Sequence, residues 1–224
     1  MKIKVQGVQK SFGKKQVLTD VSFSTEEGKC IGILGENGSG KSTLFSVLLG
    51  LQKGEGQFLC DGVDFIKDSK ARSKMVGFVP QSPPLIHELS GKDNLKLWYS
   101  PDAMEKEMQD GVLAMLGIPE FYKTTVSKMS GGMKKRLSIG CAVAHKPKIL
   151  FLDEPSAALD IVCKEKIIEY LETFKAQGGI VVIATHDISE LEICDDLYIL
   201  KNGQLYLYEE EREIHNLVGC LRDE

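Results

Sequence analysis

Two short segments carry the residue types that phosphate chemistry needs. Gly35-Glu36-Asn37-Gly38-Ser39-Gly40-Lys41-Ser42 has the spacing of a loop whose glycines let successive backbone N–H groups turn toward one anion. The loop follows the apolar run Cys30-Ile31-Gly32-Ile33-Leu34 and opens a helix expected from Ser42 to Leu49, with Thr43 beside the turn. A helix N-terminus adds partial positive charge at that point. In this setting Lys41 reaches β- and γ-phosphates, and the Ser42 hydroxyl is a magnesium ligand. A plain glycine-rich turn would need neither the Lys-Ser pair nor the apolar strand in front of it.

The second segment, Ile149-Leu150-Phe151-Leu152-Asp153-Glu154, is an apolar strand that ends in two carboxylates. Neighbouring residues of a strand point to opposite faces, so the two acids cannot do the same work. Asp153 is suited to hold magnesium, directly or through water, and Glu154 to polarise an attacking water. Taken alone, the acids could merely open the next turn. With the glycine loop upstream, a nucleotide–magnesium site without a carboxylate would be electrostatically incomplete.

Both segments demand a scaffold that brings strand ends together. The runs Lys2 to Val8, Lys29 to Leu34, Met75 to Pro80, Ile149 to Asp153 and Ile180 to Thr185 read as strands. Most are apolar on both faces, the pattern of a largely parallel sheet covered by helices. Val17 to Ser24 and Gln57 to Asp61 add strand candidates between Gly-rich and charged turns, more like an antiparallel flap than a crossover. From Gln81 to His145 the texture changes to helical periodicity, which predicts a helical insertion at about residues 82–145. The tail, residues 209–224, is charged and amphipathic and predicts a surface helix. There is no internal repeat and no linker rich in Pro, Gly or Ser, so one α/β domain spanning residues 1–224 is expected.

Composition narrows the partners. Hydrophobic residues make up 42% of the 224 residues and charged residues 27%, ordinary values for a globular chain, and the net charge of −4 is the wrong sign for a surface that neutralises nucleic acid. No run of about 18 apolar residues is present that could cross a membrane as a helix. Residues 1–10 alternate charged and apolar types and lack the apolar core of a secretory signal. The six cysteines form no CxxC pair and have no histidine at metal-ligand spacing, which predicts free thiols in a reducing compartment.

A third element narrows the class further. Met129-Ser130-Gly131-Gly132-Met133-Lys134-Lys135-Arg136, about 20 residues before the acidic strand, resembles the LSGGQ signature of ATP-binding cassette proteins. The resemblance extends from about residue 2 to residue 208 with each landmark in order. It implies a nucleotide-binding core of mostly parallel sheet, an N-terminal antiparallel β subdomain and a helical insertion. It implies that Phe12 stacks on adenine, and that Gln81, after Val79-Pro80, senses magnesium and γ-phosphate from the edge of the insertion. Ser156-Ala157-Ala158-Leu159-Asp160 is similar to the loop that crosses the dimer interface, and His186 to a switch histidine on the γ-phosphate. In such proteins two cassettes close head to tail on ATP, with Ser130, Gly131 and Gly132 of one facing the nucleotide of the other, and drive a separate membrane permease from the cytoplasmic face.

Met129 and Met133 replace the usual Leu and Gln of that signature. SGGM followed by basic residues resembles cassettes of bacterial exporters for drugs, antimicrobial peptides or polysaccharides, so export is expected, with an importer motor as the alternative direction. A soluble cassette acting on ribosomes or DNA would usually carry a second phosphate loop or heptad arrays, which this chain lacks. A non-catalytic regulatory subunit would be expected to have lost one of Lys41, Asp153, Glu154 or His186.

Overall fold

The computed structural model describes residues 1–156, 159–186 and 188–221. The chain opens with an antiparallel pair, β1 (Lys2–Phe12) and β2 (Lys15–Glu26). Ile3, Val5 and Val8 point inward and are fully or almost fully buried. β1 runs four residues past Val8, where the sequence suggested its end. Gly7, at φ +60°, sits at a register shift between Val5 and Val8, and pairing resumes beyond that bulge.

β3 (Cys30–Leu34) then starts a second sheet and passes into α1 (Lys41–Leu48). The chain returns to the first sheet through β4 (Glu55–Cys60) and β5 (Val63–Asp64), giving the order β2-β1-β4-β5. After α2 (Ser69–Met75), β6 (Val76–Val79) joins the second sheet, one residue shorter at each end than the apolar run suggested.

Next comes a helical region: α3 (Gly91–Leu95), α4 (Pro101–Gln109), α5 (Val112–Met115) and α6 (Gly131–Ala142). The helices are short because Ser90, Ser100 and Ser130 each cap a new start, while Gly111 and Gly117 interrupt. The Tyr99 hydroxyl donates to the Gly140 carbonyl at 2.7 Å, tying the turn between α3 and α4 to α6.

The rest of the chain is β7 (Ile149–Asp153), α7 (Ile161–Ala176), β8 (Ile180–Thr185), β9 (Asp196–Lys201), β10 (Gln204–Tyr208) and α8 (Ile214–Leu221). The second sheet has the order β10-β9-β3-β8-β7-β6, parallel except for the β9–β10 hairpin. Every residue of β3, β7 and β8 is buried. One core lies between the two sheets around α1, where the Phe151 ring meets Phe45 at 5.0 Å and Phe58 at 5.8 Å, both edge-on. Truncating Phe151 to Ala would cost roughly 3–5 kcal/mol at such a site. The other core lies under α6 and α7 and joins the helical region to the opposite face.

The tail differs from the expected helix over residues 209–224. Residues 209–213, Glu-Glu-Glu-Arg-Glu, form no regular element, and the Glu213 amide donates to the Glu211 carbonyl in a tight turn. Arg212 donates to the carbonyls of Leu191, Cys194 and Asp195. The helix begins at Ile214 and lies on the surface as expected, with Leu217 fully buried against Leu34, Leu197 and Ile199 while His215 and Gly219 are exposed. β9 and β10, absent from the sequence reading, fill the space between.

Candidate functional site

At the carboxyl ends of β3, β7 and β8, where parallel sheets bind ligands, an open cavity of about 420 Å³ is lined by Asn37, Gly38 and Gly40 to Thr43, and across from them by Gln81, Glu154 and His186. The loop is built by its glycines. Gly40 takes φ +111° as the N-cap of α1, and a Cβ on Gly35 would stand 2.6 Å from Ser39 Oγ and 2.8 Å from the Leu200 carbonyl. α1 has no side-chain cap, so the first-turn amides of Lys41, Ser42 and Thr43 meet the cavity with no helical acceptor. Ser39 Oγ is buried without a partner among the described residues. Such a cradle fits an anion with several acceptor oxygens.

Lys41 is 5% exposed. Its Nζ donates to the carbonyls of Gly35, at 2.6 Å, and Glu36, at 3.1 Å, so the ammonium bridges its own loop. Burial pulls its pKa below the ordinary lysine value, against the opposing pull of Glu154 and Asp153. Across from it Asp153 is pushed above the usual carboxylate range by burial and by Glu154, although the Ser42 hydroxyl, Lys41 and Lys135 hold it down. The Ser42 hydroxyl is therefore near enough to favour the charged Asp153 carboxylate, and hard oxygen donors of this kind suit magnesium.

Glu154 is held on both sides. Gln81 Nε2 donates to its Oε2 at 2.7 Å, and His186 Nδ1 lies 2.9 Å from its Oε1. The Glu154 amide donates to the Ala184 carbonyl at 2.8 Å, which fixes the residue just past β7 at φ +49°, left-handed for a non-glycine residue. Strain of this kind is sustained where the surroundings over-determine it, commonly at functional sites.

The structure gathers Lys41, Ser42, Thr43, Gln81, Asp153, Glu154 and His186 into one place, together with the loop residues Asn37, Gly38 and Gly40. Other candidates stand apart. Phe12, at the end of β1, is half exposed, carries the Lys10 ammonium 4.6 Å above its ring and does not line the cavity. Ser130 caps α6 by accepting from the Met133 amide, and Gly131 is exposed beside it. A Cβ on Gly132 would stand 2.5 Å from Cys163 Sγ, so this glycine also serves the packing of α6 on α7. Asp160 caps α7 through the Cys163 amide at 2.9 Å. Of the loop expected to cross a dimer interface, Ala157 and Ala158 lie outside the described residues, as does Asp187 after the histidine.

Sequence reasoning missed two residues around this site. Lys135 is 4% exposed and donates to the carbonyls of Pro80 and Gln81. Glu190, also buried, accepts from the Ser156 amide at 2.6 Å. Nothing in the sequence marks Lys135, which sits within a run of residues, 135–141, that are all buried on α6.

A glycine loop at a helix head, opposed by a strand that ends in two acids, defines a nucleoside-triphosphate-binding and hydrolysing domain. The ABC transporter family matches residues 18–157, and the chain belongs to that family as an ATP-binding subunit and an ATPase. It is 32% identical over 217 residues to the lantibiotic transport ATP-binding protein SrtF of Streptococcus pyogenes, covering 96% of this chain and 93% of that one. It is 35% identical over 232 residues to the Nod factor export ATP-binding protein I of Bradyrhizobium sp. (strain SNU001), covering 98% and 74%. Among solved structures, the dimeric post-hydrolysis state of the cassette MJ0796 bound to ADP and Pi superposes with a TM-score of 0.82 at 29% identity, covering 94% of this chain and 99% of that one.

Proposed function

We propose that this chain is the ATP-driven motor of an exporter, paired head to tail with a second cassette and seated on the cytoplasmic side of a membrane-embedded permease. The observation that carries the pairing is the separation within one chain. The Ser130–Gly132 turn heads α6 outside the cavity that holds Lys41 and Glu154, so one copy leaves its cavity open where a second copy's turn would close it. The relatives named for lantibiotic transport and Nod factor export support the direction. Among the described residues no helix is long and apolar enough to cross a membrane. Ile86, Leu97 and Trp98 are exposed apolar side chains on the segment after Gln81, and they support permease contact there.

In this mechanism ATP enters with its phosphates on the amides of residues 38–43, and Lys41 leaves the Gly35 and Glu36 carbonyls for the β- and γ-phosphates. Phe12 stands outside the cavity, and its assignment to the adenine rests on the family resemblance. Magnesium, held by Ser42 and Asp153 with Gln81 nearby, would neutralise charge on the phosphate oxygens. Glu154 orients the attacking water and draws its proton, and His186 keeps the carboxylate turned toward the γ-phosphate. Ser130, Gly131 and Gly132 of the second cassette donate to that phosphate from the other side, with Asp160 holding the start of α7 beside them. Hydrolysis removes the bridge, and the pair reopens.

The test uses Glu154→Gln, tagged and extracted with ATP and magnesium from solubilised membranes of its own host. A stoichiometric multi-span protein together with a cassette dimer is the expected result. Recovery as a monomer, or only with ribosomal proteins, would reject the exporter assignment.

A further inference from the structure

Lys135 is among the buried charged residues of the chain, and it lies on the helix that begins with the Ser130–Gly132 turn. Its Nζ donates to the Pro80 carbonyl at 3.1 Å and the Gln81 carbonyl at 3.0 Å, and the Gln81 side chain in turn donates to Glu154 at 2.7 Å. Two hydrogen bonds in series therefore connect α6 to the acid. The acidic groups whose charge acts on the ammonium are Glu190, Asp153 and Glu154, with Glu190 the strongest. Glu190 is itself fastened to the Ser156 amide just after the acidic strand. A lysine in this position is costly: burial draws its pKa down, and a neutral apolar side chain would fill the same space without that penalty.

We propose that Lys135 is a positioning residue for hydrolysis, which fixes where the Gln81 loop presents its amide to Glu154 and so links the state of the Ser130–Gly132 turn to the acid of the same chain. In the head-to-tail pair this gives a path between the two nucleotide sites. The turn of one copy meets the other copy's ATP, and its own α6 carries that displacement through Lys135 to its own Gln81. The inference rests on the assignment of Gln81 to the hydrolytic site made above. Lys135 touches no substrate on this path. It acts through the loop, which predicts an effect on turnover with little effect on binding.

A double-mutant cycle decides it. Turnover and equilibrium affinity for a fluorescent ATP analogue are measured on the purified full chain and on Lys135→Met, Gln81→Ala and the combined variant. Lys135→Met is expected to lower kcat about tenfold and change affinity less than about twofold, and the combined variant to be no slower than Gln81→Ala alone, because residues acting through one contact are not additive. Multiplying losses, with Gln81→Ala itself impaired, would overturn the role of Lys135 and leave Gln81 in the site. Full turnover in Gln81→Ala would overturn both assignments, and full turnover in Lys135→Met would overturn this one. Should Lys135→Met not fold, Lys135→Gln, able to donate to one of the two carbonyls, takes its place in the same cycle.

Discussion

The parallel sheet carries carboxylates at both of its ends, Asp195 partly exposed and Asp153 buried, and they are treated in opposite ways. At the amino ends of the strands, Asp195 Oδ2 accepts from the Cys30 amide at 2.7 Å and pairs with Lys175 at 2.9 Å, while Lys29 stands 3.7 Å from the other oxygen. Burial alone would push Asp195 up, yet the amide and the two lysines hold it below the usual carboxylate range. At the carboxyl ends, Asp153 is pushed up by burial and by its neighbour Glu154. The first cluster is complete in its hydrogen bonds and pairs and contributes to stability. The second keeps two like charges side by side until a divalent cation arrives with the nucleotide, so it draws ligands at the expense of the fold.

The largest expected effect breaks the carboxyl-end cluster at its centre. Glu154→Gln should lower turnover by about 10³-fold while retaining ATP affinity, read by single-turnover hydrolysis beside equilibrium binding. Lys41→Ala should weaken nucleotide binding by roughly 10- to 100-fold, since charge-assisted bonds to the phosphates are lost. An unchanged dissociation constant in calorimetry would remove Lys41 from the site.

Smaller effects sharpen the contrast. Asp195→Asn should destabilise the chain by up to about 1 kcal/mol at neutral pH, since solvent screens a partly exposed pair, lowering the melting temperature by up to about 4 °C with ATP affinity unchanged. Because the pKa of Asp195 is depressed on folding, its contribution is present above the unfolded value of about 3.9 and fades as pH falls through the folded value. The gap between wild type and variant should therefore close in acid. Asp153→Asn should do the reverse in the nucleotide-free chain, raising the melting temperature by about 2–4 °C while abolishing the gain from magnesium and ATP. A fall in melting temperature would end the comparison.

The phosphate loop and the acidic strand were legible because their chemistry is written in consecutive residues. β3, β7 and β8 were legible for the same reason, as apolar runs buried on both faces. β9 and β10 were not, because Asp196–Lys201 is framed by charged residues and pairs with β3, which lies far back in the sequence. The tail was misread in its first five residues because Arg212 finds its carbonyl partners outside its own segment. Lys135 was hidden for a related reason. Beside Lys134 and Arg136 it looks like one of a solvated basic group, and only the approach of Pro80 and Gln81, more than 50 residues earlier in the chain, sets it apart.

The left-handed backbone at Glu154 bears on how this protein responds to artificial selection. Glycine adopts φ near +49° without the Cβ clash that costs other residues about 1–2 kcal/mol. A campaign rewarding heat tolerance alone would be drawn to Glu154→Gly, which relieves the backbone and removes a buried charge, and its winners would be inert. Any library built on this scaffold therefore has to be screened for phosphate release alongside melting temperature.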